Sequence, residues 1–418
     1  TAGASTITIG GNWTNSGTFN AGTSSVTFNG TAQTINSATT FYDLTVSSST
    51  QLDINSVTVN ANDVTVSASK KLRLDNASDV LTASNEIYNY GTIEQSNGTV
   101  NVNNNVGGGY GIHNYSTGVY TISGGTLDIT RSFLQENGTL NISGTAILNA
   151  PTWFYMQSGY SSSVINMTGG TVNCGDFPNY SGTVNHSGGS IISSGYYREN
   201  SSSGGIYYGS GTALLKVSTY MRLMRAGNYF NDLEIIGVSS YVFTDSTQSL
   251  DINGDFTVNT SKVFDTNGYD IAIDGNVDID GTVTANDTIF TAGGDWDHSG
   301  GTFTYDTSTL VLTGASPSLN TGGTAKAIYN LTATTAGQTV TLANQVRLNN
   351  VLTVGSTSGN KVTITGSSKY IYYYKDTTAP IVFNRAHDVG YDITGTYSYF
   401  RPSADGMLPG GTYGNVYI

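Results

Sequence analysis

The sequence predicts an all-β fold, a right-handed parallel β-helix (β-solenoid) of about 20 coils with roughly 20–22 residues each. Three observations predict it. A triplet of aliphatic, polar and aliphatic residues recurs along the chain, and short runs of Gly, Asn, Ser and Asp separate the triplets. The 418 residues include 52 Gly but only 6 Pro, and Tyr (28) outnumbers Phe (14) and Trp (3) together. That composition favours strands and turns over helices.

The elements follow in chain order. Leu52-Asp53-Ile54, Val57-Thr58-Val59, Val64-Thr65-Val66 and Leu72-Arg73-Leu74 are spaced so that three short strands close one coil before the fourth triplet starts the next. Leu127-Asp128-Ile129 and Leu140-Asn141-Ile142 continue the pattern. Val340-Thr341-Leu342, Val346-Arg347-Leu348, Leu352-Thr353-Val354 and Val362-Thr363-Ile364 close another coil in the same way. Alternation places both aliphatic residues of a triplet on one face, so positions such as Val57 and Leu348 are expected to point inward. A strand that buries two side chains is unstable as an isolated hairpin. Stacked coils give every strand parallel neighbours and join the inward residues into columns. The competing fold is a series of tandem β-sandwiches, in which Asn29-Gly30, Asn97-Gly98 and Asn137-Gly138 would be hairpin turns.

A longer period overlies the coils. FYDLTV (Phe41 to Val46) returns as FNDLEI (Phe230 to Ile235), IYNLTA (Ile328 to Ala333) and YGNVYI (Tyr413 to Ile418). GGNWTNSGTFNAGTSSVTFNG from Gly10 parallels GGDWDHSGGTFTYDTSTLVLTG from Gly293, which makes Trp13 and Trp296 equivalent. Residues 1–365 therefore read as a continuous solenoid with a super-repeat of about 90 residues. Residues 366–418 read as a Tyr-rich C-terminal part, a site for a lateral insertion, ending in a repeat-like strand. Neither terminus has the atypical polar repeat that closes a solenoid. The expectation is head-to-tail self-association, with Tyr413, Val416 and Ile418 of one molecule pairing beside Ile7 and Ile9 of the next. Tyr372, Tyr373 and Tyr374 are expected at a contact with a neighbouring subunit.

The markers GNWTNSGTFNAGTSSVTFNG and FYDLTV, followed by LDINSVTV, resemble the repeats of large secreted bacterial surface proteins of the filamentous haemagglutinin and autotransporter adhesin type. The likeness covers mainly residues 1–70 and 230–365. It implies a right-handed β-helix displayed outside the cell in adhesion, matrix or surface-layer roles, with no catalytic residues to carry over.

A net charge of −13 with scattered basic residues argues against nucleic acid as a partner, and no apolar stretch is long enough for a membrane helix. Cys174 reads as a small buried apolar side chain. Asn276, Asp278, Asp280 and Asp287 copy the oxygen spacing of a calcium loop, while the alternation of Val277 and Ile279 makes the same segment a strand with solvated carboxylates. His113, His186, His298 and His387 have no partners at zinc-ligand spacing and read as surface residues. Lys216, Arg222, Arg225 and Glu234 form the one notable basic cluster, where a polysaccharide-cleaving site would need an acid–base pair. Two Tyr groups, Tyr196-Tyr197 with Tyr207-Tyr208 and the run from Tyr370, are candidates for sugar stacking or subunit contact. The reading as a whole is a secreted, non-catalytic structural protein of a fibre, sheath or adhesive stalk, with surface polysaccharide as a further partner. A polysaccharide-binding or polysaccharide-degrading β-helix is the alternative.

Overall fold

The structure is a computed structural model. It describes residues 1–104, 109–200, 204–244, 248–354, 362–366, 369–373, 382–383, 391–394 and 399–402. Among these residues there is no helix, and the strands stack in parallel into a β-solenoid of about 16 turns. The fold class is the one expected. Turns are fewer than expected, and coil length varies: Ser25 pairs with Asp43 across a short coil, whereas Ile87 pairs with Ile112 across a longer one. The chain divides into two units, Thr1–Lys216 with Met224–Asn228, and Val217–Leu223 with Tyr229–Ile418.

In the first unit each coil contributes a strand to three parallel sheets. The first sheet runs through Thr6–Ile9, Ser25–Phe28, Asp43–Val46, Asp63–Val66, Ile87–Asn89, Gly111–Tyr115 and Ser132–Glu136. The second includes Gln51–Ile54, Lys71–Leu74, Thr92–Gln95, Val119–Ile122 and Thr139–Ile142. The third includes Thr58–Ala61, Val80–Ala83, Thr99–Val102 and Thr126–Ile129. In register, Val26, Leu44, Val64, Ile87, Ile112, Phe133 and Phe154 form one inward column, all at most 1% exposed. Burying each such side chain stabilises the coil by about 1.5–3 kcal/mol.

One triplet is displaced by its corner. Val57 follows Ser56, which turns the chain at φ 56°, and is only half-buried. The strand begins at Thr58, and its inward pair is Val59 and Ala61. Leu348, in contrast, is fully buried.

The Asn-Gly pairs are corners, and the pairings between the strands are parallel, which removes the sandwich reading. In Gln95-Ser96-Asn97-Gly98, the buried Gln95 amide donates to the carbonyls of Gly98 (3.3 Å) and Thr126 (2.8 Å). Gln135-Glu136-Asn137-Gly138 repeats this, with Gln135 donating to Gly138 (3.2 Å) and Val164 (2.9 Å). Gly98 holds φ 75° at the corner, a conformation that favours glycine. A glutamine with an Asn-Gly corner thus links successive coils.

The second unit is built likewise. Leu250, Ile271, Phe290, Leu310, Leu331 and Leu352 form one inward column in parallel register. The Tyr-rich part has described strands that pair in the same sense, Val346 with Ile371 and Ile371 with Phe400.

The two Trp markers share a local arrangement. Trp13 packs against Phe19 and Phe41 at 5.1 and 5.3 Å, and Trp296 against Phe303 and Phe290 at 5.4 Å each. Gly30 and Gly314 close the two markers. A Cβ would lie 2.3 Å from the Gly10 carbonyl in the first and 1.9 Å from the Gly293 carbonyl in the second, so both positions require glycine for close approach. Phe41, Phe230 and Ile328, the first residues of the recurring hexapeptide, are all buried.

Candidate functional site

The outward faces of the first unit differ in chemistry. On the second sheet Asn141, Asn166 and Asn185 stack in register, each amide donating to the side-chain oxygen of the one before at 2.9 Å. Asp128, Asn149 and Asn173 make a similar row on the third sheet, beside a groove of about 540 Å3 lined also by Pro151 and Ile192. The first sheet instead carries aromatic rings.

Those rings stand on an acid–imidazole clamp. The Nδ1–H of His113 donates to Glu136 Oε2 at 2.8 Å, and its Nε2 lies 3.6 Å from Glu86 Oε1. Glu86 also accepts from the Tyr110 backbone N–H (3.0 Å), the Asn104 amide (3.3 Å) and the Tyr88 hydroxyl. Burial disfavours the charged ring of His113, but the Glu136 hydrogen bond and both carboxylate charges outweigh it and raise the pKa above the usual histidine value. Burial and Glu86 together push the Tyr88 hydroxyl far up. Both carboxylates are bound to protein donors and sit either side of one imidazole. The arrangement ties three successive coils.

From this clamp the rings continue along the sheet. Tyr110 meets His113 edge-on at 5.6 Å and lies 6.3 Å from Trp153 and 6.4 Å from Tyr155. Trp153 meets Tyr155 at 5.9 Å, Tyr155 meets Tyr180 at 5.5 Å, and the Arg198 guanidinium lies over Tyr180 and Tyr196 at 4.9 and 5.0 Å. All these side chains are half-buried. Tyr90 and Tyr115 stack beside the clamp at 4.4 Å. Tyr110 with His113, Trp153 with Tyr155, and Tyr180 belong to three different coils, far apart in the chain, so only the register of the coils brings them together. The one signal in the sequence was the density of Tyr between 88 and 115, where no two tyrosines are contiguous.

The sequence-predicted residues fall elsewhere. Of the first Tyr group, Tyr197 and Tyr207 are core side chains, and only Tyr196 and Tyr208 are partly exposed. The histidine expectation needs correction: His186 and His298 are buried, because alternation turns both inward. The Nε2–H of His186 donates to the Gly189 carbonyl at 3.1 Å, so its Nδ1 accepts from the Tyr207 hydroxyl, and burial depresses its pKa to about 4. His387 lies outside the described residues. Cys174 is buried as expected, and burial pushes its thiol pKa well up.

Arg225 is held by Glu199. The backbone N–H groups of Met224 and Arg225 each donate to Glu199 Oε2 at 2.8 Å, and the Arg225 guanidinium donates to the Gly204 carbonyl at 2.6 Å. Glu199 is fully buried and also accepts from Tyr197 (3.2 Å) and Asn228 (2.5 Å), yet burial outweighs these donors and its pKa is pushed up to about 7. Glu234, in the other unit, accepts from the Asn259 amide at 2.6 Å.

Asn276, Asp278, Asp280 and Asp287 are all exposed. Asn276 Oδ1 accepts the Asp295 backbone N–H at 2.8 Å, and Asp287 follows the next strand, Thr282–Thr284, around the coil. Among the described residues no group of three or more His, Cys, Asp or Glu side chains converges as a metal site. Ile7 and Ile9 are half-buried on Thr6–Ile9. Tyr372 and Tyr373 lie in the strand Tyr370–Tyr373, while Tyr374, Tyr413, Val416 and Ile418 lie outside the described residues. Searched against protein families, curated proteins and solved structures, the chain finds no match.

Proposed function

We propose that the protein is a secreted, non-catalytic structural protein, a stiff element of an extracellular fibre, sheath or adhesive stalk. The observation that carries this reading is that each coil is bonded to the next at three levels. Parallel backbone ladders join the strands, inward columns such as Val26 to Phe154 join the cores, and side-chain rows such as Asn141-Asn166-Asn185 join the outer faces. Bonds that all run from coil to coil resist separation of the coils, the load a stalk carries. A surface with few charged residues and many Asn, Ser, Thr and Tyr suits an extracellular setting. Fibre growth would use parallel strand addition, the pairing that already joins each coil to the next.

Electron microscopy of the purified chain, with single-molecule stretching, tests the reading. Fibres or stiff rods that yield coil by coil at high force are expected. Compact particles that unfold at low force would overturn it.

A further inference from the structure

We infer that the aromatic strip on the first sheet of the first unit is a binding site for an extended neutral polysaccharide. The strip runs from His113 through Tyr110, Trp153, Tyr155 and Tyr180 to Arg198, with ring-to-ring distances of 5.5–6.3 Å and the guanidinium 4.9 Å from the last ring. Register carries it from Ile112 through Phe133, Phe154 and Phe177 to Tyr197, four coil steps or on the order of 20 Å. One coil rise is close to the length of one hexose in an extended chain, so about four sugars span the strip.

Two features suit the strip to a ligand. Tyr155 and Tyr180 are perpendicular at 89°, and Trp153 and Tyr155 are inclined at 64°, so these rings do not all lie flat against one another as Tyr90 and Tyr115 do at 2°. Each ring of the strip is half-buried and so leaves part of its surface open to the C–H faces of a sugar. The platform is preorganised: all five residues of Ser132–Glu136 beneath it are buried, and Asp176 holds the Trp153 indole N–H at 3.2 Å. Ordering the rings therefore adds little to the cost of binding.

The charges select the occupant. Glu86, Glu136 and Asp176 border the strip, which disfavours a polyanion. Glu86 and Glu136 are paired with the His113 imidazole, and Asp176 is engaged by the Trp153 indole N–H, so the carboxylates are directed at protein groups. Arg198 and the Tyr hydroxyls remain to bond hydroxyl groups. This inference is independent of fibre formation.

Affinity electrophoresis of the full chain in gels containing hydroxyethylcellulose, galactomannan or the polyanion polygalacturonate tests it. Retardation by a neutral polymer is expected, weakened about tenfold in Trp153→Ala and further in Trp153→Ala/Tyr155→Ala, largely restored in Trp153→Phe, and unchanged in Asn166→Ala. Melting curves establish that each variant is folded. Retardation only by polygalacturonate, no retardation by any of these polymers, or neutral retardation that a folded Trp153→Ala/Tyr155→Ala variant retains in full, would overturn the inference.

Discussion

Trp296 donates its indole N–H to Nδ1 of His298 at 2.8 Å, and both side chains are fully buried. The imidazole proton therefore sits on Nε2, and the ring is neutral. Burial, with the Lys326 charge next in size, depresses its pKa to about 4. The equivalent Trp13 has no such partner, and its buried Nε1 makes no hydrogen bond. His298→Ala leaves the Trp296 N–H equally orphaned and opens a void, at an expected cost of about 2–4 kcal/mol, read from the denaturation midpoint.

The same pair gives a pH dependence. His298 takes up its proton more readily unfolded, at a pKa near 6.5, than folded, at about 4. Its contribution is complete above pH 6.5 and is lost as pH falls toward 4, amounting to on the order of 3 kcal/mol. His298→Gln, which keeps an acceptor and cannot titrate, should flatten the acid limb of the stability curve. An acid limb identical in both proteins would contradict the assignment.

Glu199 works in the opposite sense. Its folded pKa of about 7 lies above the ordinary 4.5, so its contribution is complete below pH 4.5 and is lost as pH rises through 7. Hydrogen exchange of the Met224 and Arg225 amides, both bonded to Glu199, should report it as protection that falls from pH 5 to pH 8 after correction for intrinsic exchange. Glu199→Gln should remove that slope.

The corner at Ser56 separates two valines that look equivalent in the sequence. Val59→Asp buries a charge in the inward column beside Leu81 of the next coil and should cost several kcal/mol or abolish folding. Val57→Asp, at a half-buried position before the strand, should cost about 1 kcal/mol. Leu348→Asp should resemble Val59→Asp. Melting curves of the three variants decide the register.

Much of this architecture is legible in the sequence. Period-two alternation located the inward columns because each inward residue is set by its own strand, and it failed at Val57 because a corner, not a strand, determines burial there. The Trp13 and Trp296 equivalence was legible because both positions lie in a contiguous marker. The aromatic strip was not, because Tyr110, Trp153 and Tyr180 become neighbours only through coils of unequal length, as the Ser25–Asp43 and Ile87–Ile112 pairings illustrate. The buried His186 and His298 were misplaced by residue type, although alternation from Val184 and Trp296 would have turned both inward.

Asn276 has a structural task that its calcium-like spacing concealed. Asp232 accepts the Asp255 N–H at 2.9 Å, Asp255 accepts the Asn276 N–H at 2.7 Å, Asn276 accepts the Asp295 N–H at 2.8 Å, and Asp295 accepts the Ser318 N–H at 2.7 Å. One Asx side chain per coil thus satisfies a backbone donor of the next, and three of these residues follow a glycine, at Gly254, Gly275 and Gly294. The links are exposed, so each contributes about 1 kcal/mol. Asn276→Ala should lower stability by that amount, and Asn276→Asp, which keeps the acceptor, should be nearly neutral. Calcium should leave the melting curves of the wild type and Asn276→Asp unchanged, because the oxygen at the first ligand position is already bound to Asp295 N–H. A calcium-dependent rise in melting temperature that Asn276→Ala abolishes would instead assign these oxygens to a metal.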